Sequence, residues 1–174
     1  QGVFGLQYTD LDFSAVGAEA FVPGSTTETA AVFWIEHAEF DAWQFDVGLR
    51  YDDVETRVPN TLVVEESAVG PRANAAFKPV SASAGTIYQL NDNIDLTFTV
   101  AHAERAPGVD ELFANGPHVA TQVFEVGDAS LDNESSLHVE GGVRTEYGPL
   151  TASATVYSDT FNDYIYQSST SLEE

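Results

Sequence analysis

An apolar period of two constrains this chain more than any other feature. Ile94, Leu96, Phe98 and Val100 alternate with Asp95, Thr97, Thr99 and Ala101. Successive side chains of a strand point to opposite faces, so this stretch has one apolar face and one small or polar face. The same alternation runs through Trp43, Phe45, Val47, Leu49 and Tyr51 against Gln44, Asp46, Gly48, Arg50 and Asp52. It returns in Leu137, Val139, Gly141, Val143 and Tyr147 against His138, Glu140, Gly142, Arg144 and Glu146. A helix would scatter residues i and i+2 around its surface and waste the pattern. These apolar sets are expected to share one side of a single sheet.

Four further segments read as strands from their Thr, Val, Phe and Tyr content: Val3 to Thr9, Thr29 to Phe40, Ala75 to Leu90 and Thr151 to Phe161. Within the third, the small and polar run from Pro79 to Thr86 leaves the register open. Several of the seven strands reach the roughly nine to eleven residues that cross a membrane when tilted. The connections alternate in length: Asp41, Asn91-Asp92-Asn93 and Gly148-Pro149 are short, whereas about 10–28, 57–74 and 104–133 are long. Successive turns of an up-and-down antiparallel meander fall on opposite edges, so the long loops should project from one end. Transmembrane β-barrels have that asymmetry, and a soluble barrel could use it to build one binding end.

Composition narrows the functions. Lys and Arg number 6 against 28 Asp and Glu, a formal net charge of -22, which repels nucleic acid and anionic headgroups. The chain has no cysteine, which removes disulfides, thiol nucleophiles and cysteine-ligated metals. No run is long and apolar enough for a membrane helix, a fact that leaves strand-crossing barrels open. Phosphate-binding loops and a serine nucleophile elbow are missing, and no set of nucleophile, base and orienting group assembles, so the chain is not expected to be an enzyme. Tyr8, Trp43, Tyr51, Tyr147, Tyr157, Tyr164 and Tyr166 lie near strand ends, which suits interfacial girdles and ordinary strand packing alike.

The segment from Glu104 to Glu134 is densest in special residues. Arg105, Pro107, Asn115, Gly116 and Pro117 read as its structural frame, and Asp110 to Phe113 as one helical turn. His118 is the histidine of a long loop and a candidate metal ligand through imidazole. Asp110, Glu111, Glu125 and Asp128 are candidate ligand-binding carboxylates beside it, without the ordered spacing of a calcium loop. Leu112 and Phe113 could supply an apolar wall. The mechanical alternative is that Arg105 pairs with Asp110 or Glu111 to fix the loop while His118 completes a hydrogen bond. His37, His102 and His138 are expected to be structural or lumen-facing.

The phrase from Glu104 to Ala106, Pro107 through Glu111-Leu112-Phe113-Ala114-Asn115-Gly116-Pro117-His118, then Phe124-Glu125-Val126-Gly127-Asp128 with Leu131 and Glu134, resembles the late-barrel region of TonB-dependent outer-membrane receptors. Gly48-Leu49-Arg50-Tyr51, Tyr88 to Asn93, Gly141-Gly142-Val143-Arg144 and Ala154 to Ile165 resemble strand and turn phrases of the same barrels. The resemblance implies part of a transmembrane β-barrel in the cell outer membrane. It implies uptake of a siderophore, haem or metal chelate, and a lean toward metal or haem receptors through Asn115-Gly116-Pro117-His118. Such receptors have about 22 strands, an N-terminal plug and a TonB box. Residues 1–174 read as a partial barrel domain with no plug domain and no TonB box. The plug, the remaining strands and, through them, TonB are the implied partners; the cofactor is unknown. An even strand number also makes seven strands look incomplete. The competing reading is a soluble acidic β-barrel or sandwich that binds through its loops.

Overall fold

The computed structural model describes residues 1–15, 17, 20–59 and 73–169. Strands β1 (Gly2–Phe13), β2 (Ser25–Phe40), β3 (Trp43–Val58), β4 (Ala73–Phe77), β5 (Val80–Asn91) and β6 (Ile94–Arg105) are followed by helix α1 (Val109–Phe113). Two short strands, β7 (Asn115–His118) and β8 (Val123–Val126), then precede β9 (Glu134–Tyr147) and β10 (Leu150–Asn162). The main sheet is antiparallel in the order β1-β2-β3-β5-β6-β9-β10, with β4 on the outer end of β3. It is an up-and-down meander of seven crossings, because β4 and β5 form one strand interrupted at Lys78-Pro79. Pro79 has no N–H to give the ladder, yet its carbonyl still accepts from the Asp52 N–H at 3.0 Å, and the register on β3 is the same on both sides of it. Among the described residues the sheet is open, with β1 and β10 at its edges.

The two-residue turns Asp41-Ala42, Asp92-Asn93 and Gly148-Pro149 occupy one end. Asp41 and Gly148 take positive φ of 53° and 59°, as tight hairpin turns demand. The other end carries the long connections, which are shorter than the sequence suggests. β1 continues to Phe13 and β2 begins at Ser25, so the 10–28 loop contracts to 14–24. β6 runs to Arg105 and β9 begins at Glu134, which leaves 106–133. Of the expected 57–74 loop, β3 takes the residues to Val58 and β4 those from Ala73, while 60–72 lie outside the described residues. These strand ends carry Asp10, Asp12, Glu28 and Arg57, whose charges hid the continuing strands; the Thr26 hydroxyl donates to Asp12 at 2.7 Å across β1 and β2.

Register ties the apolar parity together. Trp43 lies opposite Tyr88, Tyr88 opposite Leu96 and Leu96 opposite Val143. Leu49 lies opposite Trp34, which lies opposite Phe4. Directly opposed residues of an antiparallel pair share a face, so the apolar sets of β3, β6 and β9 stand on one common side. That side is bare: Phe98 is 49% and Leu6 77% exposed. The opposite face carries polar pairs, the ion pair of Arg50 with Asp52 at 2.6 Å and the hydrogen bonds of His37 with Asp46 at 2.8 Å and His138 with Asp159 at 2.7 Å. A concavity of about 880 Å³ lies against it, lined by Gln7, Phe33, Arg50, Ser83, Thr97 and Glu140 among others. The sheet is therefore a curved wall, polar inside the curve and apolar outside it.

Three departures qualify this pattern. Tyr157 lies opposite Glu140 on the polar face, 6.3 Å from the His138 ring, so it belongs to no outward girdle. His102 lies opposite Ala82 and Leu137 on the apolar face, near the long-loop end, and pairs with Glu104 at 3.2 Å. Glu36 also falls on the apolar parity opposite Val47, where the amino group of Gln1 approaches it at 3.4 Å.

Candidate functional site: the long-loop end

Apart from Ala31 within β2, the buried apolar side chains gather at the long-loop end rather than on the sheet faces. Leu112 is 2% and Val58 1% exposed, and Ala114, Pro23 and Pro107 are buried as well. The 106–133 segment is thus a small folded unit. Its base is Arg105 at the end of β6, whose guanidinium meets Glu111 of α1 through two parallel hydrogen bonds of 2.7 and 3.1 Å. The same guanidinium reaches Glu134, the first residue of β9, at 3.2 Å. Glu134 in turn accepts the N–H of Ile165, beyond β10, at 2.9 Å. One cation therefore joins the end of β6, α1, the start of β9 and the chain that follows β10.

Helix α1 is short, and tertiary bonds hold it. The Glu111 carboxylate accepts the Gly108 N–H at 2.6 Å, closing the N-terminal turn, and the Glu111 carbonyl accepts the Asp128 N–H at 2.9 Å. The Arg105 guanidinium, and behind it the Gly108 N–H, hold the Glu111 carboxyl below its ordinary value against the opposing effect of burial. Gly127 lies so close to the helix that a Cβ there would stand 2.6 Å from the Leu112 carbonyl carbon and the Phe113 nitrogen. Only glycine fits without moving that backbone.

The β7–β8 hairpin extends from this base. His118 Nδ1–H donates to Glu125 Oε1 at 2.6 Å across the hairpin, and the imidazole stacks on Phe21 with centroids 4.5 Å apart and planes 20° from parallel. Phe21 comes from the 14–24 loop, between β1 and β2. Its carbonyl accepts the Asn115 N–H at 2.8 Å, and Gly116 admits the close approach, since a Cβ there would meet the Phe21 Cβ at 3.1 Å. Val123, Phe124 and Val126 stand exposed on the hairpin.

The sequence-derived candidates occupy distinct positions in this unit. Arg105, Pro107, Asn115, Gly116 and Pro117 lie along its base and first hairpin strand. Glu111 joins Arg105, and the salt bridge does not extend to Asp110. Glu125 joins His118, while Asp128 accepts the Ser130 hydroxyl and N–H at 2.6 and 2.8 Å, bonds that lower its carboxyl pKa. Asp110 sits in the first turn of α1. Among the described residues no three His, Asp or Glu side chains are grouped to hold a metal ion. Leu112 is withdrawn into the interior and offers no ligand wall. Phe21 escaped sequence reasoning because its contacts lie nearly a hundred residues away along the chain.

The geometry supplies one chemical possibility of note. An imidazole whose Nδ1–H is held by a carboxylate has a defined tautomer with an unprotonated Nε2, as in the carboxylate–histidine pairs behind metals. With one ring face on Phe21, His118 can offer a single nitrogen donor. Residues 1–172 match the protein family described as TonB dependent receptor-like, beta-barrel.

Proposed function

The chain belongs to the TonB-dependent receptor β-barrel family, and on that premise we propose that it forms part of an outer-membrane receptor wall together with ligand-facing loops for a metal chelate, siderophore or haem. The observation that carries this reading is a sheet with an apolar outer face, its tight turns at one end and the folded 106–133 segment at the other. Aromatics mark the edges of the apolar band: Trp43 packs against Tyr88 near the tight turns, while Tyr8 and Tyr51 lie toward the long loops. Trp43 and Tyr51 are separated by about 27 Å of strand, comparable with an apolar band about 25 Å tall before tilt is counted. Beyond Tyr51 the same parity turns charged, with Arg57 paired to Glu28 and to Glu55.

The remaining strands of the barrel, a plug in the lumen and TonB acting through that plug are the partners this reading entails. Within the loops, the His118–Glu125 pair supports one nitrogen donor to a metal that already has its other ligands. Haem iron and chelates with an open axial position meet that description. Asp110 and Asp128 would line the approach, and the net charge of -22 disfavours strongly anionic chelates. The test uses the full-length natural protein in lipid, titrated with haem and with neutral and anionic ferric chelates. Saturable binding weakened by His118→Ala supports the reading; affinity unchanged by that substitution for every probe removes His118 from the site.

A further inference from the structure

Phe21 and the 14–24 loop have no place in the site as the sequence draws it, yet they meet the one imidazole of the long-loop unit. Three independent contacts bring them there. The aromatic ring covers one face of His118 at 4.5 Å. The Phe21 carbonyl takes the Asn115 N–H at 2.8 Å, three residues before His118. Gly116 leaves the space that Phe21 fills, and this glycine is itself buried. β1 and β2, which carry this loop, lie at the opposite side of the sheet order from β9, with β3, β5 and β6 between. Packing across such a distance joins two loops that the strand order alone would keep apart.

An imidazole is aimed by what fixes its ring plane and by what holds its second nitrogen. Glu125 does the second by accepting from Nδ1 at 2.6 Å. A hydrogen bond to one ring nitrogen leaves the ring free to swing about that bond, and stacking removes this freedom. We propose that Phe21 is a positioning residue for His118, so that the 14–24 loop sets the direction in which Nε2 meets an incoming metal chelate. This rests on the ligand reading above for the identity of the target, but the positioning itself is a property of the ligand-free protein.

The experiment compares the full-length protein with Phe21→Leu and Phe21→Tyr, using haem as the probe and limited proteolysis at the 106–133 segment to confirm that its fold persists. Leu keeps an apolar contact without a stacking plane; Tyr keeps the plane. Phe21→Leu should weaken haem affinity about 2- to 10-fold and diminish the absorption signature of imidazole-ligated iron, while Phe21→Tyr retains both. Leu and Phe giving the same affinity and the same spectrum would overturn the proposal. A separate measurement, the rate at which diethyl pyrocarbonate modifies His118 without ligand, tests the positioning alone. Faster modification in Phe21→Leu, restored in Phe21→Tyr, supports it even if haem fails to bind and the ligand reading falls. Equal rates in all three proteins overturn it whatever haem does.

Discussion

Arg105 on β6 and Glu111 on α1 meet through two parallel hydrogen bonds, and the same guanidinium reaches Glu134 on β9. A planar fork against a carboxylate fixes orientation as well as distance, which a lysine ammonium cannot do. The base of the 106–133 unit is therefore set by geometry that either side chain alone would lose.

Arg105→Lys and Glu111→Gln are expected to loosen the loop without unfolding the sheet. Both partners are partly exposed, so solvent reduces the loss to about 1 kcal/mol of local stability. Proteolysis and hydrogen exchange within 106–133 should accelerate, with exchange in β6 and β9 nearly unchanged.

Acid should open the same unit. The Glu111 carboxyl is lowered in the folded protein, chiefly by Arg105, so its contribution is complete at neutral pH, above the unfolded-state value. It disappears as pH falls through the lowered value, below the ordinary glutamate range. Hydrogen exchange at Leu112 and Ala114, corrected for intrinsic rates, should show this loss in the acid range, and Glu111→Gln should abolish that pH dependence.

Gly127→Ala tests the close approach of the chain to α1. The new methyl would meet backbone atoms of Leu112, Phe113 and Ala114 at 2.6 to 2.8 Å, where no flexible side chain can yield. The expected cost is about 1–3 kcal/mol within the loop unit, read as faster proteolysis there. Gly141→Ala, with no atom within 4 Å of its Cβ, should have little effect on the same assay.

How far the sequence discloses this fold depends on the range of the interaction. The parity of Trp43 to Tyr51, Ile94 to Val100 and Leu137 to Val143 is local, and cross-strand register brings all three to one face as the alternation implies. The tight turns are local too. The β7–β8 hairpin was hidden because Asn115–His118 and Val123–Val126 are four residues each, too short to display a period, and Pro117 argues against a strand. Arg105 with Glu111 was within reach of sequence separation, whereas Phe21 with His118 depends on two loops meeting across the sheet. Tyr157 shows the remaining difficulty: β10 alternates Ala and Val with Ser, Thr and Tyr, and only its register opposite Glu140 assigns the face.

The charge tolerance of the two faces should differ. Phe98→Arg places a cation on the outer face, and Thr99→Arg places it inside the curve beside Glu140, its register partner. For lipid on the outer face, the first substitution costs about 2–4 kcal/mol at mid-membrane depth and the second far less. Folding yield into lipid vesicles across a denaturant series reads the difference.

In the proposed receptor wall, the apolar parity of this sheet meets lipid and the other parity meets the lumen. Because residues 1–174 contain no cysteine, single cysteines at 95 through 101 can each carry a nitroxide in the full-length protein reconstituted in lipid, provided any cysteine elsewhere is replaced. Collisional accessibility to oxygen and to a water-soluble nickel complex is then measured at each position. A period of two is expected, with oxygen dominant at Leu96, Phe98 and Val100 and the nickel complex favoured at Asp95, Thr97, Thr99 and Ala101. The opposite phase, or equal accessibility along the strand, would contradict it.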